Sequence, residues 1–297
     1  MTKTAFISII GRPNVGKSTL MNAMLGEKIS IVSPKPQTTR NRIAGILTRG
    51  EDQFVFLDTP GVHKSKNRLG DYMMKSVRST VRSADAVILI ADAAHDPGTT
   101  ERTLISQIKK SELPSILVLN KIDTVNRERL AQSISEYAAL HEFDAVVPTV
   151  ATTGKNVDDV LDEASKFLYE GDWMFDGDSV TDQPERQIAA EVIREKILRT
   201  LSDEIPHGTA VVIEEFNETP KMLKIRAEIF CEKASHKGII IGRGGETLKR
   251  IGSYAREDLE EFFGVKVYLD LWVKVKEKWR DSDMILNSFG YNPKDLG

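Results

Sequence analysis

Four short stretches carry residue types that handle a nucleoside triphosphate. The first, GRPNVGKS (11–18), follows an apolar run and precedes a helical pattern. In that setting Gly11 and Gly16 let backbone N–H groups converge on phosphate oxygens, with Arg12, Pro13, Asn14 and Val15 forming the loop between them. Lys17 supplies a mobile cation for the β- and γ-phosphates, and Ser18 offers a hydroxyl to Mg²⁺. The helix that begins there adds the positive end of its dipole. The second stretch, LDTPG (57–61), also closes an apolar run. Asp58 is expected in the outer shell of Mg²⁺. The N–H of Gly61 is expected on the γ-phosphate, with Thr59, Pro60 and Val62 around it, so loss of that phosphate would release the loop. The third, QTTRN (37–41), lies between these two, and Thr39, or else Thr38, is placed to complete the Mg²⁺ shell.

The fourth stretch, NKID (120–123), selects the base. The Asp123 carboxylate can accept hydrogen bonds from guanine N1–H and its exocyclic amine, while adenine would strand it. Sites built on such polar pairs discriminate by roughly 10⁴–10⁵. Asn120, Lys121 and Ile122 would buttress that pocket. The expected substrate is therefore GTP.

A second glycine turn lies in HKGIIIGRGGETLKR (236–250). It has no Lys-Ser/Thr after the glycines and no parallel βαβ unit around it, so neither a Walker loop nor a dinucleotide fingerprint fits. A G-x-x-G turn joining two short helices is the setting of a KH module, which clamps the backbone of about four nucleotides. Gly242, Gly244 and Gly245 allow close approach of a strand, Arg243 sits among its phosphates, and Lys237, Lys249 and Arg250 add charge. Ile239, Ile240 and Ile241 are candidates for an apolar groove wall, with at least one of them in the core.

These stretches need elements to hold them. Residues 1–170 alternate apolar runs (5–10, 53–58, 86–92, 115–121, 145–150) with helical patterns (17–25, 69–83, 100–110, 127–140, 157–168). Alternation of this kind predicts a three-layer α/β domain with a mainly parallel sheet. A hairpin over 43–58 adds one antiparallel strand. Residues 171–183 are acidic and aperiodic and read as a linker, after which Asp182 is expected to cap a helix that runs to about Leu201. The remainder, 184–297, reads α-β-β-α-α-β, a small α+β domain of the type II, bacterial KH order. In its last strand Val265, Val267, Leu269, Leu271, Val273 and Val275 share one face; Tyr268 and Trp272 point the other way, toward the final helix or a neighbour.

Composition sets limits. The chain has 297 residues, 40% hydrophobic and 29% charged, and a single cysteine, Cys231, which excludes an internal disulfide framework and fits a reducing cytoplasm. No apolar run approaches the roughly 20 residues of a membrane span, and neither end reads as a secretory leader or lipidation signal. The net charge of −3 hides a strong asymmetry: +2 over 1–170, −8 over 171–220, +5 over 221–280 and −2 over 281–297. The basic window is the one that holds the second glycine turn, which suits a polyanion. His63 and Lys64 read as solvated, and Met73 and Met74 as packing.

The order and spacing of GRPNVGKST, QTTRN, DTPG and NKID resemble the translation-factor-related P-loop GTPases, and PQTTRNRI with DTPGVHK is similar to their Era-type branch. The resemblance covers essentially the whole chain. It implies slow GTP hydrolysis with Mg²⁺, with Lys17, Asn14, Thr39 and Gly61 as the catalytic set and Asn14 as a ligand to a potassium ion near the β–γ bridge. That cation would supply what Val62 cannot, because an apolar side chain does not orient water. It also implies that the Ala151 N–H meets guanine O6. Here the chain departs from the pattern, since TVA (149–151) puts Val150 where a serine is usual. The implied partners are the 3′ end of small-subunit ribosomal RNA and the 30S subunit, and the implied role is small-subunit assembly. The protein is expected as a cytoplasmic monomer with peripheral membrane association. The alternative is a membrane-surface or protein-docking GTPase whose KH-like domain contacts protein.

Overall fold

The computed structural model describes residues 1–62, 67–202 and 204–292; His63 and Lys64 lie outside them. The first half is built on strands β1 (Lys3–Ile10), β2 (Ile43–Arg49), β3 (Asp52–Asp58), β4 (Ala86–Asp92), β5 (Ser115–Asn120), β6 (Ala145–Pro148) and β7 (Tyr169–Glu170), interleaved with helices α1 (Lys17–Leu25), α2 (Arg68–Arg82), α3 (Thr99–Ser111), α4 (Arg127–Ala138) and α5 (Val157–Ser165). The sheet order is β2-β3-β1-β4-β5-β6, parallel except for the β2–β3 hairpin and for β7, which pairs antiparallel with the start of β1. Strand β4 is buried along its whole length, as its unbroken apolar run requires of a strand covered on both faces. One face packs Leu20 and Met21 of α1 and Val160 and Leu161 of α5. The other packs Val77 of α2, Leu104 and Ile108 of α3 and Tyr137 of α4.

The second half holds α6 (Glu185–Thr200), β8 (Ala210–Thr219), β9 (Met222–Cys231), α7 (Ala234–Ile241), α8 (Glu246–Phe263), β10 (Lys266–Val275) and α9 (Asp283–Ser288). Its sheet runs β10-β9-β8, with β9 and β10 parallel and β8 antiparallel to β9. Helices α6, α7 and α8 cover one face through Ile193, Ile197, Ile240, Ile251 and Leu259. No helix among the described residues is long and apolar enough to cross a membrane.

Two expectations need correction, and a third gains detail. The acidic stretch 171–183 holds no named helix or strand, as a linker does, but it is anchored. Gln53 accepts the N–H groups of Met174 and Phe175 and donates to the Phe175 carbonyl, and Val180 and Thr181 bond to Ile46 and Ala44, so the stretch is laid along the outer hairpin. Asp182 does not cap α6: its carboxylate accepts the Ala44 N–H instead, and the cap position is Pro184, with no side-chain bond. Tyr268 and Trp272 do not pack on the final helix. Each is 59% exposed, whereas α9 and the residues on either side of it close over Leu69, Tyr72 and Met73 of α2 through Trp279, Leu286 and Tyr291.

That last cluster joins the two halves, and polar contacts extend it. Arg40 is 1% exposed; it donates to the carbonyls of Thr209 (2.6 Å) and His207 (2.9 Å) and lies over the Trp279 ring. Buried Glu195 of α6 accepts the Val32 N–H at 3.0 Å and pairs with Lys28, which also reaches Asp258 of α8. Burial pushes the Glu195 carboxyl up, but Lys28 and the Val32 amide outweigh it and hold it below the ordinary range. Arg194 donates to the Thr38 carbonyl, Lys35 to that of Leu201, and Arg199 to that of Val32. The loop from Lys28 to Arg40 is thus fastened to the second half along most of its length.

Candidate nucleotide and nucleic-acid sites

The loop Gly11–Ser18 leaves the carboxyl end of β1 and opens α1. Gly16 is the N-cap, with φ of 106°, and a Cβ there would stand 2.2 Å from Asn120 Nδ2, so only glycine fits. It offers no side chain to the helix N-terminus, which leaves the first-turn N–H groups for a phosphate. Buried Lys17 is held over the loop by the carbonyls of Arg12 (2.9 Å) and Gly11 (3.4 Å). Burial lowers its pKa to about 8, against the pull of Asp58.

Ser18, Thr39 and Asp58 come together as the motifs predicted. Ser18 Oγ donates to Asp58 Oδ2 at 2.6 Å and lies 3.0 Å from Thr39 Oγ1. Asp58 is fully buried and also accepts from Ser30 Oγ at 2.8 Å. Its other oxygen, Oδ1, is buried with no hydrogen-bond partner among the described residues. Burial raises the carboxyl pKa, opposed by Lys17 and the three hydroxyls. Two hydroxyls and an unpartnered carboxylate oxygen form an all-oxygen set of the kind Mg²⁺ takes, so the residues fit that ion. Thr59 Oγ1 is used on the Ile9 carbonyl, Pro60 and Gly61 follow, and the Val62 N–H donates to the Gly11 carbonyl at 3.2 Å while its half-buried side chain packs against the core. The cleft between the two loops is lined by Pro13, Lys17, Ser18, Val32, Thr39 and Gly61.

The base-side residues are anchored around Asn120, which is 3% exposed. Its Nδ2 donates to the Val15 carbonyl at 2.8 Å, and its Oδ1 accepts from Thr149 Oγ1 and from the Ala151 N–H at 3.0 Å. The Ala151 N–H, expected at the base, is therefore engaged by Asn120 here. The same contacts show what supports that loop although Val150 replaces serine: Thr149 bonds Asn120, and the Val150 N–H donates to Lys155. Lys121 donates to the Asn14 carbonyl (2.7 Å) and to Asp92 (2.9 Å). Burial would raise the Asp92 carboxyl, but Lys121 and the Ala94 amide hold it below the ordinary range. Ile122 is half-buried, and Asp123 sits exposed in the turn Ile122–Thr124 with its carboxylate open to a ligand.

Two side chains of the first loop point elsewhere than expected. Arg12 ion-pairs with Glu101 of α3, so only its backbone faces the phosphate position. Asn14 Nδ2 donates to the Pro34 carbonyl at 2.8 Å, tying the phosphate loop to the stretch before Thr39. Sequence reasoning also missed Ser30, Asp92 and Glu101, which no local motif marks.

The second glycine turn joins α7 to α8. Gly242 (φ 76°), Gly244 (φ 60°) and Gly245 (φ 83°) all lie in the positive-φ region, and a Cβ on Gly242 would meet Thr247 Oγ1 at 2.3 Å. Beside the turn a groove of about 400 Å³ runs between α8 and β10, walled by Gly245, Leu248, Lys249, Gly252, Arg256, Leu269 and Leu271. Arg243, Gly244 and Arg250 are exposed and Lys237 is half-buried, but of the predicted set only Gly245 and Lys249 line the groove. Ile240 is core and Ile239 is half exposed. Leu269 and Leu271 were legible as one strand face, not as a groove wall.

Fold and sites together define a P-loop GTPase domain followed by a KH domain. A family profile described as "50S ribosome-binding GTPase" matches residues 6–121, and one described as "KH domain" matches 204–280. The chain is 49% identical to the GTPase Era of Clostridium kluyveri over 98% of its own length and 100% of the relative's. It is 46% identical to that of Ruminiclostridium cellulolyticum over 97% of each. It superposes with a TM-score of 0.95, at 38% identity, on Era in complex with MgGDPNP and nucleotides 1506–1542 of 16S ribosomal RNA, covering 98% of this chain and all of that one. A variant of Aquifex aeolicus Era bound to GDP·AlF4⁻ matches equally well, at 39% identity. The chain belongs to the Era family of GTPases.

Proposed function

We propose that this GTPase uses the triphosphate state to govern its grip on single-stranded RNA near the 3′ end of the small-subunit ribosomal RNA, and so acts in assembly of the 30S subunit. The observation that carries this reading is the position of the loop from Lys28 to Arg40. It brings Thr39 to Ser18 and Asp58 at one end, and it is fastened to α6 and the residues before β8 by Glu195, Arg194 and Arg40. A γ-phosphate that draws on Thr39 therefore acts on the second domain through contacts already made.

In this reading the N–H groups of Gly11–Ser18 and the Lys17 ammonium take the β- and γ-phosphates, and Gly61 adds a donor at the γ-phosphate. Ser18 and Thr39 would hold Mg²⁺, with Asp58 behind them; the ion would draw charge from the phosphate oxygens. Asp123 reads the guanine, while Asn120 and Lys121 keep the loop at the height the base requires. Val62 leaves the attacking water without a side-chain acceptor, so hydrolysis is slow unless a monovalent cation enters beside Asn14. Gly242, Arg243, Gly244 and Gly245 clamp the RNA backbone, with Lys237, Lys249 and Arg250 as neighbouring charge, and the groove along α8 takes bases. The test is titration of unpaired oligoribonucleotides against the GTP- and GDP-loaded protein, with Gly242→Asp and Gly245→Asp as controls. Tighter binding with GTP, lost in both variants, is expected. Equal affinity in both nucleotide states and both variants would overturn the reading in favour of protein docking.

A further inference from the structure

The sheet of the second domain has one face that helices α6, α7 and α8 leave open. From β10 it presents Lys266, Tyr268, Asp270, Trp272 and Lys274, and the register places Lys224, Arg226 and Glu228 of β9 beside Tyr268, Asp270 and Trp272. Among the described residues the tail covers only one end, where Phe289 packs on Phe230. Beyond that end Tyr268 and Trp272 stand 59% exposed. They are four residues apart on one strand, which separates them by about 13 Å.

We propose that this open sheet face is a second RNA subsite, a platform on which Tyr268 and Trp272 stack unpaired bases of a strand that leaves the groove. The proposal rests on the reading of the second domain as an RNA clamp.

Three features argue for bases over an apolar protein or lipid surface. The rings do not form a continuous apolar patch, because Asp270 lies between them, bonded by the Trp272 indole N–H at 2.9 Å and paired with Arg226. An apolar partner would have to bury that ion pair, whereas separate bases can cover each ring and leave it wet. The indole bond also fixes the orientation of the Trp272 ring, so stacking costs little side-chain entropy. Charge is the second feature. The carboxylates of the face are each held by a cation, Glu215 and Asp270 by Arg226 and Glu228 by Lys274. Lys224, next to Tyr268, has no carboxylate partner among the described residues and is available to a phosphate. Continuity is the third. Strand β10 is the edge of its sheet, and Leu269 and Leu271 wall the groove from its inner side. A polynucleotide leaving the groove reaches Tyr268 and Trp272 by crossing the width of one strand.

The experiment uses the full chain loaded with a non-hydrolysable GTP analogue and two labelled unstructured oligoribonucleotides. One of about six nucleotides fills the groove, and one of about fifteen also reaches the sheet. Tyr268→Ala and Trp272→Ala are expected to leave the short oligomer unaffected and to weaken the longer one about tenfold each, with Trp272→Phe in between. The longer oligomer should also quench the part of the tryptophan emission that Trp272→Phe removes. Because both side chains are exposed, coincident melting curves will confirm that the variants fold. If the longer oligomer binds no tighter than the short one, and neither ring variant changes its affinity or emission, the platform does not exist. Failure of the short oligomer to bind the wild type would instead fault the groove, which Gly245→Asp tests separately.

Discussion

Replacing Arg40 should uncouple the two domains without unfolding either. The guanidinium is buried between them. It donates to the carbonyls of Thr209 and His207 and reaches the Tyr291 hydroxyl at 3.4 Å, with the Trp279 ring centroid 5.7 Å away. A hydrogen bond from a charged group is worth about 1.5–3 kcal/mol, and a desolvated cation–π contact about 2 kcal/mol. Arg40→Ala removes them and strands two buried carbonyls; after the desolvation that the native charge already bears, a net loss of about 3–5 kcal/mol in domain docking is expected. Burial lowers the pKa of this group, opposed mainly by Tyr291, so its site disfavours an unpaired charge. Arg40→Met, which keeps the stem over Trp279, should therefore cost less than Arg40→Ala. The assay is amide hydrogen exchange across residues 28–40 and 204–210 with GTP bound, together with RNA affinity in the GTP and GDP states. Faster exchange in both segments and a smaller GTP-to-GDP ratio of RNA affinity are expected, with catalysis by the first domain retained. Unchanged exchange and an unchanged ratio in Arg40→Ala would refute the view that this contact transmits the nucleotide state.

Further outcomes follow from the nucleotide site. Asp123→Asn should lower GTP affinity by at least a hundredfold and improve xanthosine triphosphate, whose base offers the reversed hydrogen-bond polarity; competition binding reads both. Lys17, with a pKa lowered to about 8, should lose its charge in the nucleotide-free protein as pH rises past 8. Apparent GTP affinity should then fall by up to about tenfold per pH unit between 8 and 10, and Lys17→Met should flatten the profile. The sign for folding is the opposite. The unfolded chain keeps this proton up to about 10.5, so the stability of the nucleotide-free protein gains from Lys17 between pH 8 and 10.5. Hydrolysis should be faster in potassium than in sodium buffer, and Asn14→Ala should abolish the difference; equal turnover of the wild type in both salts would remove the cation from the mechanism.

What the sequence made legible was local chemistry. Lys17, Ser18, Asp58 and Asn120 sit in motifs whose spacing is set by one strand, one turn and one helix, and the structure brings them together. The apolar run of β4 announced a strand covered on both faces, and it is. What was hidden depends on contacts between distant segments. Asp182 has the residue type and position of a helix cap, but the Ala44 N–H of an outer strand competes for its carboxylate. Arg12 lies in the phosphate loop, yet Glu101 on α3 claims its side chain. Glu101 and Asp92 carry no motif, because their role is defined by partners about ninety and thirty residues away in the chain. The exposure of Tyr268 and Trp272 could not be read from alternation alone, which says which face a side chain takes and not what covers that face.

The bonded course of residues 174–182 has a mechanical consequence. With Gln53, Ala44 and Ile46 gripping it, the connector is part of the first body almost to the point where α6 begins. Any swing of the RNA-facing half has to turn about Gln183 and Pro184, a pivot two residues wide, and proline stiffens one of those two joints. Once the Arg40, Glu195 and Trp279 contacts are broken, that short joint is what still tethers the far half, and with it any strand it holds, to the nucleotide site.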